Sequence, residues 1–278
     1  MADIEPASLL GPDEAAACLP LSHEPGWNQT EADWTMMLKS GHALTVRDGD
    51  RRPRASAVAL PMGDKIGWIS MVLVTAALQR RGIAQRLVGD CIDWHEARCL
   101  APHLDATPAG QPLYRRMGFQ PLCGLMRLTG VGGLRAEEIG LRTAKTSDLD
   151  WILPLDQMVF GGDRSYVLND LLARPGAVAL VRADSSGFVL SRKGLTATQI
   201  GPLIAPDTDT ALELLVAALG RIEGPVMVDA FDDHPAIATL LKARGFREQR
   251  PFLRMARGLS APLGDPARLF AAAGPELG

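Results

Sequence analysis

The sequence predicts an α/β protein built as two similar domains, each a mixed, mostly antiparallel sheet flanked by helices. Three observations predict it. The chain has 278 residues, which favours two domains over one. The order of strand and helix patterns in the first half recurs in the second. A stretch with four glycines, "LTGVGGLRAEEIG" (128–140), lies between the halves. The predicted boundaries are a first domain over 1–130, a linker over 131–139, a second domain over 140–258 and a tail over 259–278.

In the first half, "TEADWTMMLKS" (30–40) is an acidic helical segment bearing a tryptophan. "HALTVRD" is a strand, "GDRRP" a turn punctuated by glycine and proline, and "RASAVALP" a second strand. "KIGWISMVLV" is a long buried strand. A helix follows over about 82–98, with Ile83, Leu87, Val88, Cys91, Ile92 and Trp94 at helical spacing. Then come a strand near "HLDAT", a short helix "QPLYRRM" ending at Gly118, and the strand "FQPLCGLMRL".

The second half opens with another acidic, tryptophan-bearing helix, "TSDLDWILPLDQMVF" (146–160). "GAVALVRA" and "FVLSRK" are strands around the turn "DSSG", and "TATQIGPLIA" is the long strand. "DTDTALELLVAALGRI" is a helix and "PVMVDAF" a strand. "HPAIATLLKAR" is a helix ending at Gly245, and "FREQRPFLRM" the last strand. The tail has an apolar centre at Leu269–Ala273, and either docks on the body or hangs free.

Composition narrows the function. The net charge of −3 gives no basic footprint for nucleic acid. No apolar run approaches the length of a membrane span. The acidic start "MADIEPASLL" lacks the pattern of a signal peptide. Four cysteines without a C-x-x-C pair predict reduced thiols in a cytoplasmic protein, and five scattered histidines show no metal-ligand spacing. The expected partners are therefore small molecules, with no nucleic acid, membrane or metal. The oligomeric state is left open.

One turn stands out. "LQRRGIAQRL" (78–87) follows the long buried strand and opens a helix. The first N–H groups of a helix have no partner inside it, and with the helix dipole they favour an anion. Gly82 has no Cβ and Ala84 is small, so a ligand can approach the backbone closely. Arg80 and Arg81 add positive charge. The alternative is a solvated turn. The spacing Q-x-x-G-x-A differs from both the P-loop and the dinucleotide fingerprint.

"VLVTAALQRRGIAQRLV", followed at a distance by "AGQPLYRRMGF", resembles the GNAT superfamily of N-acetyltransferases. The family signature pairs a central strand and Q/R-x-x-G-x-G/A with a later L-Y-x-x-x-G-F, and the resemblance covers most of 25–128. It implies acetyl-CoA as acyl donor. Gln79, Arg80, Arg81, Gly82, Ile83, Ala84 and Gln85 would form the pyrophosphate turn. Val72, Leu73 and Val74 would bond the pantetheine arm and thioester carbonyl. Tyr114 would sit near the sulfur as the acid for the leaving thiolate. Its other reading is a core tyrosine at a helix–sheet seam.

The second half resembles a degenerate copy. "APDTDTALEL" stands where the first half has the basic turn, so Asp207 and Asp209 would close that helix start against an anion. Leu241 falls opposite Tyr114. This copy is expected either to scaffold the first domain or to build the acceptor pocket. Candidate acceptor residues are Trp27, Asn28, Asp163 and Arg164, with Asp156, Tyr166, Asp229, Asp232 and Asp233 behind them. Asp105 is the favoured general base, beside Glu24, Glu31, Asp33 or a water relay, though Asp105 could equally be a structural acceptor. The expected function is acetyl transfer to a primary amine of a small molecule or amino acid. The alternatives are a non-catalytic acyl-CoA-binding module and a protein or peptide N-acetyltransferase.

Overall fold

The computed structural model of the protein describes residues 7–133 and 139–278. The first half runs β1 (Ser8–Leu9), α1 (Ala15–His23), α2 (Glu31–Ser40), β2 (His42–Arg47), β3 (Pro53–Met62), β4 (Ile66–Val74), α3 (Ile83–Glu96), β5 (Ala101–Ala106), α4 (Gln111–Arg116) and β6 (Phe119–Gly132). The second runs β7 (Leu141–Thr143), α5 (Leu149–Phe160), α6 (Ser165–Ala173), β8 (Leu180–Arg182), β9 (Phe188–Lys193), β10 (Thr198–Ile204), α7 (Thr208–Arg221), β11 (Gly224–Phe231), α8 (Pro235–Ala243), β12 (Arg247–Arg257) and β13 (Leu269–Ala271). The predicted elements are present, in a mixed sheet flanked by helices. Two helices, α1 with Pro20 inside it and α6, go beyond the predicted elements.

The strands form one continuous sheet in the order β1-β2-β3-β4-β5-β12-β6-β11-β13-β10-β9-β8-β7. Among the described residues, only β4–β5 and β10–β11 pair in parallel. The order shows an exchange. The last strand of the second half, β12, lies against β5 of the first half, and β6 lies against β11 of the second. The two exchanged strands pair with each other along most of their length. The halves are thus tied together by backbone hydrogen bonds, not only by a packed interface. Strand β6 runs on to Gly132, through the start of the predicted linker. Residues 134–138 of that linker lie outside the described residues.

Alternation along the strands divides the core by face. In β3, Ala55, Ala57 and Ala59 pack under α3 with Leu87, Val88 and Cys91. Val58, Leu60 and Met62 point the other way, into a core shared with Trp34, Ile152, Phe188 and the tail residues Ala272 and Leu277. A third core, including Leu214, Val228 and Leu241, lies under α7 and α8. One face therefore holds a core for each half, and the opposite face a core common to both. The tail docks: Leu269–Ala273 and Leu277 are buried in these cores.

Two histidines sit inside the first half. His95 is fully buried, and His103 is buried with its ring stacked near Trp68. Burial pushes both imidazoles down to about 4, and Arg254 adds to the effect at His103. The folded pKa values are depressed, so the unfolded chain takes up protons first as pH falls. Stability from these groups is complete near pH 7 and is lost between about pH 6.5 and 4. We expect a loss of about 2.5 kcal/mol between pH 7 and 5.5 in urea unfolding. An unchanged midpoint over that interval would mean that solvent reaches the rings.

Candidate active site

The bulge in β4 is where the site begins. Ser56 pairs with Leu73 and Val58 with Ser70, so Met71 and Val72 together oppose Ala57. Met71 takes φ +50°, an uncommon conformation for a side-chain-bearing residue. Its carbonyl is held by the Ser56 hydroxyl at 2.7 Å. On its other edge β4 pairs with β5 only from Ile66 to Trp68. Beyond Trp68 the two parallel strands have no register partners in each other, and a cleft of about 980 Å³ opens between them.

Val72, Leu73 and Val74 line that cleft, and so do Gln79, Arg80, Gly82, Ile83, Ala84 and Gln85. Arg81 is exposed beside it and does not line it. Gly82 caps α3 at φ +76° with no side-chain bond to the helix start. The first backbone bond accepted there is Arg86 N–H to the Gly82 carbonyl, so the N–H groups of Ile83, Ala84 and Gln85 face outward. A Cβ on Gly82 would meet nothing within 4 Å, so the space in front of the turn is open. Helix α7 in the second half differs. Asp207 caps it, accepting from Thr210 N–H at 2.8 Å. One helix start is free for an anion and the other is closed by its own side chain.

Tyr114 projects from α4 onto the cleft wall, with its ring edge-on to Phe119. Burial pushes its phenol well above the ordinary range, and the neighbouring Cys91 adds to this. The hydroxyl therefore stays protonated and can act as a donor.

The acceptor end departs from the sequence reading. Trp27 lines the cleft, but Asn28 does not. Asn28 is a structural clamp. Its Nδ2 donates to the Ala197 carbonyl at 2.9 Å, and its Oδ1 accepts from the N–H groups of Thr196 and Ala197. It holds the turn between β9 and β10. Arg164 is 1% exposed and donates to both oxygens of Asp156, at 2.9 and 2.8 Å, and to the carbonyls of Leu277 and Gly278. It anchors the tail and does not reach the cleft. Asp163 is exposed and accepts from Ser165 N–H at the start of α6. The expectation for Asp163 and Arg164 is not met: neither lines the cleft, Arg164 being committed to Asp156 of α5 and to the tail, and Asp163 to the first N–H of α6.

Asp105 does line the cleft, but Arg254 donates to both its oxygens, at 2.8 and 2.9 Å. Burial raises the Asp105 pKa and Arg254 opposes the rise. What stands there is an ion pair, not a lone base. Asp33 is buried between Arg192 and Arg174 and caps α2 through Thr30. Burial pushes its carboxyl up, but the two guanidiniums outweigh that and hold it low. Glu31 lies outside the cleft, and Glu24 lines it while accepting from Ala76 N–H. Asp229 is buried behind the wall, bound by Arg127.

Residues that the sequence reading does not select complete the wall: Gln29, Arg127, Arg250, Phe252, Pro275 and Glu276. Arg250 and Phe252 belong to the exchanged strand β12, and Glu276 to the tail. Both come from the far end of the chain. A signal for the strand was present in "RPFLR": Arg250, Phe252 and Arg254 alternate on one face of a predicted strand. Cations at such positions need partners when buried. No described helix is long and apolar enough to cross a membrane, and no group of three or more His, Cys, Asp or Glu is placed to hold a metal among the described residues.

Comparison with known proteins fits this geometry. The family model "Acetyltransferase (GNAT) family" matches residues 13–119, and "Acetyltransferase (GNAT) domain" matches residues 152–271. The uncharacterized N-acetyltransferase YitH of Bacillus subtilis is 26% identical over 246 residues, 85% of this chain and 86% of that one. Among solved structures, a putative acetyltransferase from Pyrococcus horikoshii superposes with a TM-score of 0.84 at 20% identity, covering 98% of this chain and 95% of that one. A tandem GNAT protein from the clavulanic acid biosynthesis pathway gives 0.62 at 15% identity, covering 93% and 100%. The chain belongs to the GNAT family of acetyltransferases, with two GNAT domains in tandem.

Proposed function

We propose that the protein transfers an acetyl group from acetyl-CoA to the primary amine of a small molecule, with the first domain binding the donor. The observation that carries this is the single cleft. It joins an uncapped helix start at Gly82, the free edge of β4 and the Tyr114 phenol to a polar wall supplied by β12 and the tail. The N–H groups of Ile83, Ala84 and Gln85 would hold the pyrophosphate. The edge of β4 around Val72–Val74 would bond the pantetheine arm and support the oxyanion. The amine nitrogen attacks the thioester carbonyl. The N–C bond forms, the C–S bond breaks, and the amine's proton passes to water, which returns one to Tyr114 after the thiol has left. The sulfur takes a proton from Tyr114, whose raised pKa keeps it protonated until then. Holding both substrates in one cleft supplies much of the rate gain.

The second domain, with Asp207 across its helix start, would bind no donor of its own. Its role in this reading is to supply one wall of the acceptor end.

The test is thiol release from acetyl-CoA with a panel of amines, amino acids and peptides. CoA binding without turnover across the panel would favour a non-catalytic binding module. Turnover confined to peptides would make it a protein acetyltransferase. Tyr114→Phe should lower kcat about 100-fold and leave CoA affinity within about twofold, since general acid catalysis is worth about that much. Equal rates would remove Tyr114 from the chemistry.

A further inference from the structure

Arg127 on β6 and Arg250 on β12 are register partners, so two guanidiniums stand directly opposite each other. Like charges in that relation are unfavourable. The pairing exists because of a bulge. Glu248 pairs with Leu128, and then Gln249 is skipped. Without the bulge Gln249 would face Arg127, and Arg250 would point to the other side of the sheet. The two cations do not share a carboxylate. Asp229 takes Arg127 through Nε and Nη2, both at 2.7 Å, and also Gln199 at 3.1 Å. Arg250 has no ion pair among the described residues, and its Nε is buried without a partner. Its guanidinium carbon lies 4.8 Å from the centre of the Phe252 ring. Strand β5 stops pairing with β12 at Ala106–Leu253, so Arg250 and Phe252 stand beyond the end of β5, where the cleft opens.

The tail side of the same cleft has the opposite imbalance. Asp33, Asp170 and Glu276 share Arg174 and Arg192, which leaves one negative charge in excess. Of these, Glu276 lines the cleft. One wall therefore offers a cation without an ion pair, and the other a carboxylate, held by Arg192, whose cluster carries one more negative charge than its arginines.

We propose that the acceptor is a zwitterion of the amino-acid type, with its carboxylate on Arg250 beside Arg127 and its ammonium group drawn toward Glu276. This rests on the transferase reading above. A single excess positive charge matches a monoanion better than a phosphate dianion, and an arginine fork matches a carboxylate in shape.

The experiment compares free amino acids with their carboxamides, which keep the amine and lose the anion. The full chain is assayed by thiol release from acetyl-CoA. We expect kcat/KM to favour the free acids about 100-fold, the scale of a charge-assisted hydrogen-bonded pair. Arg250→Met should bring that preference to within about fivefold, and Arg250→Lys should keep part of it. A Tyr114-independent check of folding is retained CoA binding by both variants. Equal rates for acids and amides in the wild-type chain, or an unchanged preference in Arg250→Met, would overturn the acceptor class while the transferase reading stands. A preference for phosphate-bearing amines over carboxylates would also overturn it. CoA binding with no turnover of any amine would defeat the transferase reading, and this inference with it.

Discussion

Gly82→Glu is expected to weaken acetyl-CoA binding about 1000-fold and to leave the chain folded. Two effects act together. The turn holds Gly82 at φ +76°, where a side-chain-bearing residue is strained by about 1–2 kcal/mol. That strain is relieved by shifting the turn, which misaligns the N–H groups of Ile83 and Ala84. The new carboxylate also stands in front of the helix start, which is open space in the wild-type chain. At about 5 Å from a phosphate and an effective dielectric near 20, the repulsion is about 3 kcal/mol. Together these reach about 4 kcal/mol, or three decades of affinity. Gly82→Ala separates them, since it brings the strain without the charge, and should lose about tenfold. Titration calorimetry with CoA measures both, and circular dichroism with a urea melt checks the fold. Full affinity in Gly82→Glu would move the donor away from this turn. The second domain already presents the carboxylate version: Asp207 sits at the start of α7 and accepts from the Thr210 N–H. The variant in effect installs in the first domain what the second domain has.

The elements on either side of that turn were legible because their information is local. The apolar spacing of α3, the glycine at its start and the "LYRRMGF" segment are each complete within a few residues. The duplicated order was legible for the same reason. The exchange of β6 and β12 was not, since a strand's pattern shows which face is buried but not which strand lies beside it. The errors at Asn28 and Arg164 have the same long-range origin. Asn28 binds the 194–197 turn, far along the chain, and Arg164 binds the carbonyls of residues 277 and 278. Read alone, each is a polar group in an apolar segment and passes for a ligand contact. Arg127 and Arg250 were overlooked for the converse reason. Neither is unusual by itself, and only a strand register with a bulge makes them neighbours.

Arg192→Met is expected to destabilise the fold by about 4 kcal/mol, because removing one member of a buried ion pair strands the others. Arg192 is 1% exposed on β9 of the second half. It donates to Asp33 of α2 in the first half at 2.7 Å and to Glu276 of the tail. Burial works against its charge, and the two carboxylates outweigh that and raise its pKa. The residue thus fastens three parts of the chain at one point. After substitution Asp33 still has Arg174, at 2.6 Å, but Glu276 has lost its arginine. The greater share of the loss should therefore come from Glu276, and Glu276→Gln in the Arg192→Met background should recover about half of it. The same double variant should not recover amino-acid turnover if Glu276 attracts the acceptor's ammonium group. Urea unfolding of the wild type, both single variants and the double variant closes the cycle. An Arg192→Met chain as stable as the wild type would mean that the three-way bridge contributes nothing net. A double variant no more stable than the single would place the cost on Asp33, and the tail would then be held by its apolar residues, Arg164, the Trp68–Pro275 hydrogen bond and the backbone pairing of β13.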